Sequence, residues 1–150
     1  MGGASTPREQ AIMLLARREY SRAELEQRLG AKGHPGDEID ACLDELVDKG
    51  LQSDTRFAES FVRSRVARGQ GPIRIRTELF QRGISQSLAQ DAIAEVEERE
   101  GVDWFDLAAT TLARRFSTPG DSPREYARRQ RFLASRGFDF DQIRHALAQL

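Results

Sequence analysis

This chain of 150 residues holds one cysteine, two histidines, two lysines, one tryptophan and no asparagine. Cys42 alone makes no internal disulfide, and the lack of asparagine leaves no N-glycosylation site. His34 and His145 are isolated from each other and from Cys42, which excludes a Cys-rich zinc site. The longest uninterrupted apolar run, Ala11 to Ala16, is far too short to cross a bilayer. The opening Met1 to Pro7 has no apolar stretch behind a basic start, so the expected compartment is the cytoplasm. There is no glycine-rich phosphate loop and no helical pair of histidines. Neither Arg17, Arg18 and Glu19 nor Trp104 with Asp103 and Asp106 brings together a nucleophile, a base and an orienting group. The expectation is therefore a binding protein, with no catalytic residues, no metal and no cofactor.

Charge is abundant, at 31% of residues against 39% apolar, so charged side chains must cover much of the surface. The net charge of −1 conceals an alternation along the chain. Residues 1–54 carry a net −4, residues 55–84 a net +5, residues 85–106 a net −6 and residues 107–150 a net +4. Apart from Lys32 and Lys49 the basic residues are all arginines, whose planar forks pair with carboxylates or phosphates. Two readings follow. Acidic and basic helices pair with each other, or the basic segments form a surface for a polyanion or an acidic protein groove.

No segment alternates at period two, while helical spacing recurs throughout. Ala11, Leu14 and Leu15 make a first stripe; Ser21 and Glu24 read as a capping box ahead of Leu25 and Leu29. Ile39, Leu43, Leu46 and Val47 make the next stripe, ended by Gly50. Phe57, Ala58, Phe61, Val62 and Val66 follow, then Pro72 at a first helical turn with Ile75 and Leu79 behind it. Ser85 is a cap for Ala89, Ile93 and Val96. Phe105, Ala108, Leu112 and Phe116 share a face, Ser122 to Glu125 reads as a second capping box, and Asp139 with Gln142 opens the last helix. Trp104 and Phe105 are expected in the core or between modules, with Met13 and Cys42 as packing residues.

The pattern repeats. Leu29 to Gly33, Leu79 to Gly83 and Leu133 to Gly137 share leucine, two variable residues, a base and glycine. The positions six, ten and thirteen residues past each glycine are apolar in all three: Ile39, Leu43, Leu46; Ala89, Ile93, Val96; Ile143, Leu147, Leu150. The expected fold is all-α, with three tandem three-helix modules at residues 7–51, 53–101 and 102–150, about nine helices in all. Such modules stack into an elongated, curved array, on the order of 60 Å long if each helix spans about 18 Å. With no heptad seam, a monomer is expected.

The middle module carries Ser53-Asp54-Thr55-Arg56-Phe57-Ala58-Glu59-Ser60-Phe61-Val62-Arg63-Ser64-Arg65, then Gly69-Gln70-Gly71-Pro72, Ile75, Glu78, Leu79 and Gly83. This order and spacing resembles the RecX family. Tyr20 to Leu25 with Gly50-Leu51 in the first module, and Arg131 to Phe138 in the third, are similar to it too. The third departs most, with Glu125, Arg128 and Arg129 around where leucines stand in the first. The resemblance implies a regulator that binds in the helical groove of the RecA–single-stranded-DNA filament and lowers filament growth, ATP hydrolysis and strand exchange. The arginines expected to face that partner are Arg63, Arg65, Arg68, Arg74, Arg76 and Arg82, then Arg124, Arg128, Arg131 and Arg136. The competing reading is a helical-repeat nucleic-acid-binding protein acting without RecA. Against a DNA-reading third helix stand the acidic runs Asp37 to Asp48 and Asp91 to Glu100, which phosphates repel.

Overall fold

The computed structural model describes residues 5–149, and among these every regular element is a helix. They run α1 (Pro7–Leu15), α2 (Arg22–Ala31), α3 (Gly36–Asp48), α4 (Asp54–Ala67), α5 (Pro72–Gln81), α6 (Gln86–Glu100), α7 (Trp104–Arg115), α8 (Pro123–Ser135) and α9 (Phe140–Gln149). Most starts have a visible chemical cause. The Ser21 hydroxyl accepts from the Glu24 amide while the Glu24 carboxylate accepts from the Ser21 amide, so two orphan donors are satisfied at once. Thr6 and Glu9 do the same for α1. Ser53, Ser85 and Asp103 cap α4, α6 and α7, and Pro72 occupies the first turn of α5. Asp139 and Gln142 exchange reciprocal hydrogen bonds at the start of α9.

Close helix–helix packing occurs within the triples α1–α3, α4–α6 and α7–α9. Each triple wraps its own buried cluster: Ala11, Tyr20, Leu25, Leu29, Ile39, Leu43 and Leu46; then Phe57 to Val96; then Ala108, Leu112, Phe116, Leu133, Phe138, Ile143 and Ala146. The apolar positions counted from the three glycines sit in these cores, Leu147 being only partly buried and Leu150 lying outside the described residues. This is an all-α tandem repeat with a separate core in each unit.

The units are docked through their helix ends. The Ser21 hydroxyl also donates to the Arg82 carbonyl at 2.7 Å, and the Arg22 amide donates to Asp54 at 2.8 Å. Buried Gln52 bridges the Tyr20 carbonyl and Asp54. At the second junction the Gly71 amide donates to the Arg136 carbonyl at 2.7 Å and the Ile73 amide to the Gly137 carbonyl at 3.0 Å. The Arg-Gly pair that ends the middle helix of one unit therefore meets the start of the middle helix of the unit before it, twice over. Backbone touches backbone here: a Cβ on Gly71 would overlap the Gly137 carbonyl, and one on Gly137 would overlap Arg74. Trp104 and Val102 pack on the second core and tie α7 to it.

Four expectations need correction. The second capping box is half made: Ser122 accepts from the Glu125 amide, but the Glu125 carboxylate is drawn to Arg128 and Arg129 instead of turning back. Phe105 does not join Ala108, Leu112 and Phe116 inside; it lies 41% exposed with its ring edge-on to His145. Val47 and Met13 also face outward, because three neighbouring helices cannot cover every apolar position of a short helix. Conversely Arg129 is 5% exposed, its stem filling a core position while its guanidinium stacks on Phe116.

Candidate functional site

The acidic third helices are partly neutralised from within. Arg22 reaches Asp44 at 2.8 Å and Asp40 at 3.8 Å, and Arg8 reaches Glu45 at 2.9 Å. Arg99 pairs with Glu59 on α4, and Arg63 with Glu100 on α6. Hydrogen bonds from Lys49 and Arg8 hold the Glu45 carboxyl below its ordinary 4.5. The helix-pairing reading of the charge alternation is thus realised for part of the charge.

The ten expected arginines divide into two kinds. Arg65 and Arg74 both grip Glu78 at 2.9 Å, and Arg74 also donates to the Ser135 carbonyl across the second junction. Burial pushes the Glu78 carboxyl up, but hydrogen bonds from Arg74 and Arg65 and their charges outweigh it and hold the group below 4.5. Arg82 is 3.8 Å from Glu24 across the first junction, Arg63 is the same distance from Glu100, and Arg128 meets Glu125 at 3.3 Å. By contrast Arg68, Arg76, Arg124, Arg131 and Arg136 form no ion pair among the described residues, the first four being exposed. Arg76 shares the outer face of α5 with Phe80, which is 73% exposed, and Ile73.

The structure gathers some of these and adds others. A cleft of about 370 Å³ between the first two units is lined by Arg65, Arg68 and Arg82 together with Arg18, Glu19 and Glu24, over Phe57 and Phe61. A second, of about 210 Å³ in the third unit, holds Arg136 with Arg114, Arg115, Thr111 and Phe132. A third, of about 360 Å³ in the first unit, holds Arg17, Arg28 and Lys32 beside Met13 and Leu14. Arg17, Arg28, Lys32, Arg114 and Arg115 make no ion pair among the described residues. Sequence reasoning passed over them because residues 1–54 are acidic in sum; the available signal was the base of the glycine motif, which Lys32, Arg82 and Arg136 share. Arg124 and Arg131 lie apart from these clefts.

No group of three His, Cys, Asp or Glu side chains among the described residues is placed to hold a metal ion. Cys42 is half-buried, and burial with the Glu45 charge raises its thiol above 9.0, away from nucleophilic use. No described helix is long and apolar enough to cross a membrane. What the arrangement offers is guanidinium forks aimed outward from rigid helix ends, suited to carboxylates or phosphates.

Comparison with known proteins matches this architecture unit by unit. Profiles described as the first, second and third three-helix domains of RecX match residues 8–46, 53–93 and 102–147. The regulatory protein RecX of Chromohalobacter salexigens is 58% identical over 144 residues, covering 96% of this chain and 92% of that protein. That of Halorhodospira halophila is 45% identical over 143 residues, covering 94% of this chain and 86% of that protein. The crystal structure of RecX from Lactobacillus salivarius superposes with a TM-score of 0.77 at 27% identity, over 96% of this chain and 94% of that one. With three domain profiles laid end to end and close relatives along nearly its whole length, the chain belongs to the RecX family.

Proposed function

We propose that this protein is a non-enzymatic regulator that binds, as a monomer, in the groove of the RecA filament on single-stranded DNA and restrains filament growth, ATP hydrolysis and strand exchange. The observation that carries the reading is the match of all three units to RecX domains, with relatives named regulatory protein RecX at up to 58% identity. The exposed arginines without ion pairs support it, since a protein groove lined with carboxylates would complete them.

The physical route is multivalent. A filament presents the same surface at every subunit, so a rigid row of three units can touch neighbouring subunits together. Weak contacts held on one body reinforce each other by raising effective concentration. If the bound spacing differs from that of the active filament, the equilibrium shifts by the difference in affinity for the two states.

Capture on RecA assembled on single-stranded DNA, compared with free RecA and with naked DNA, tests this directly. Retention on the assembled filament well above both controls is the expected result. Equal retention on naked DNA, falling steeply with added salt, would instead favour a nucleic-acid-binding repeat protein.

A further inference from the structure

The three units share more than their helices. In each, arginines that follow or end the first helix, and others from the middle helix or its C-cap, stand against aromatic rings. In the first unit Arg18 and Arg28 stand 3.5 and 5.3 Å from the Tyr20 ring. In the second Arg65 and Arg82 stand 4.3 and 4.7 Å from Phe61. In the third, Phe116 and half-buried Phe132 form an edge-on pair; Arg115, Arg128 and Arg129 stand 5.0, 5.2 and 4.7 Å from Phe116, and Arg136 5.3 Å from Phe132. Phe61 and Phe132 line two of the clefts described above, Arg28 from the Tyr20 stack lines the one in the first unit, and each cleft is lined by the base of the glycine motif: Lys32, Arg82 or Arg136.

We infer that the repeat carries three carboxylate-recognising clefts, one at each glycine-motif base, and that acidic side chains of a protein partner, presented at repeating intervals, occupy them together. This rests on the filament reading above and adds the site and its chemistry. A guanidinium resting on a ring keeps its edge donors free and gives up little freedom when an oxyanion arrives. Within this chain the same groups already take carboxylates: Arg65 binds Glu78, and Arg82 approaches Glu24. Single-stranded nucleic acid is the weaker candidate, because it needs open rings on which bases stack. Here Tyr20, Phe61 and Phe116 are no more than 8% exposed. The carboxylate-rich α3 and α6 would also repel a continuous phosphate chain.

The module junctions set the spacing. The backbone carbonyls of Arg82 and Arg136 receive the docking hydrogen bonds from Ser21 and Gly71, while their side chains line clefts. Docking and recognition thus use the same two residues, and the clefts are fixed relative to one another.

Two measurements test this. In the first, the wild-type protein is titrated with a poly-glutamate peptide and, separately, with oligothymidylate, while backbone and arginine side-chain resonances are followed by NMR. Shifts around Lys32, Arg82 and Arg136 with poly-glutamate, and weaker ones with oligothymidylate, are expected. Shifts confined to one cleft, none at any cleft, or equal response to oligothymidylate would overturn the inference. In the second, Lys32→Gln, Arg82→Gln and Arg136→Gln, each checked for an unchanged melting transition, are assayed for affinity to RecA filaments. Each single variant should bind about tenfold more weakly and double variants about a hundredfold. Wild-type affinity in all three singles would sink the clefts and leave the filament reading standing. Cleft shifts with poly-glutamate in a protein that ignores RecA filaments would leave the clefts standing and sink the filament reading.

Discussion

At the scale of single residues, Gly33 and Gly137 occupy the same place in the repeat and do different work. Both have positive φ, +90° and +97°, so alanine at either is strained. Nothing lies within 4 Å of a Cβ on Gly33, whereas one on Gly137 would meet the Arg74 backbone. Gly33→Ala is expected to lower unfolding stability by about 1 kcal/mol and Gly137→Ala by roughly 3 kcal/mol, read by urea denaturation. Equal losses would remove the docking role. The sequence announces both glycines as helix stops, but the contact on Gly137 depends on a residue sixty-odd positions away and has no local signal. Glu78 gives a second prediction. Its folded pKa lies below 4.5, so its contribution to stability is complete above that value and disappears as pH falls through the folded one. Glu78→Gln should therefore show a flatter decline in stability between about pH 5 and pH 3 than the wild type.

At the scale of elements, stripes and caps were readable because they are local. The helix starts at Ser21, Ser85 and Pro72 follow from hydroxyls and a proline at known offsets. The half-made box at Ser122 shows where locality ends: Glu125 had two arginines one turn on competing for its carboxylate. The outward faces of Val47 and Phe105 likewise depend on where neighbouring helices stop. Ser21 and Ser85 separate capping from docking. Each accepts an amide hydrogen, but Ser21 is fully buried and also donates to Arg82. Ser85→Ala should cost about 1 kcal/mol, while Ser21→Ala should cost about 2 to 3 kcal/mol in thermal denaturation. If the two match, the bond to Arg82 contributes nothing to the junction.

At the scale of the whole molecule, the threefold repeat was legible from three glycines and the apolar positions after them. The proposed interaction surface was legible only in part. Summed charge pointed to residues 55–84 and 107–150, and five of the ten arginines singled out there make no ion pair among the described residues. The same sum hid Arg17, Arg28 and Lys32, whose acidic counterparts lie on the far helix α3 and are engaged there by Arg8 and Arg22. Arg74 is a poor probe of partner binding because it also holds Glu78 and Ser135, so its reversal would disturb a junction. The most direct test of the proposed role uses the exposed arginines that hold nothing inside the protein. DNA-dependent ATP hydrolysis by RecA is measured against increasing wild-type protein and against Arg68, Arg76, Arg124 and Arg131 all changed to Glu, with helical circular dichroism confirming the fold. The wild type should suppress hydrolysis, and the variant should need at least about tenfold more protein to do so; hydrolysis untouched by the wild type, or suppressed equally by both, would contradict the account.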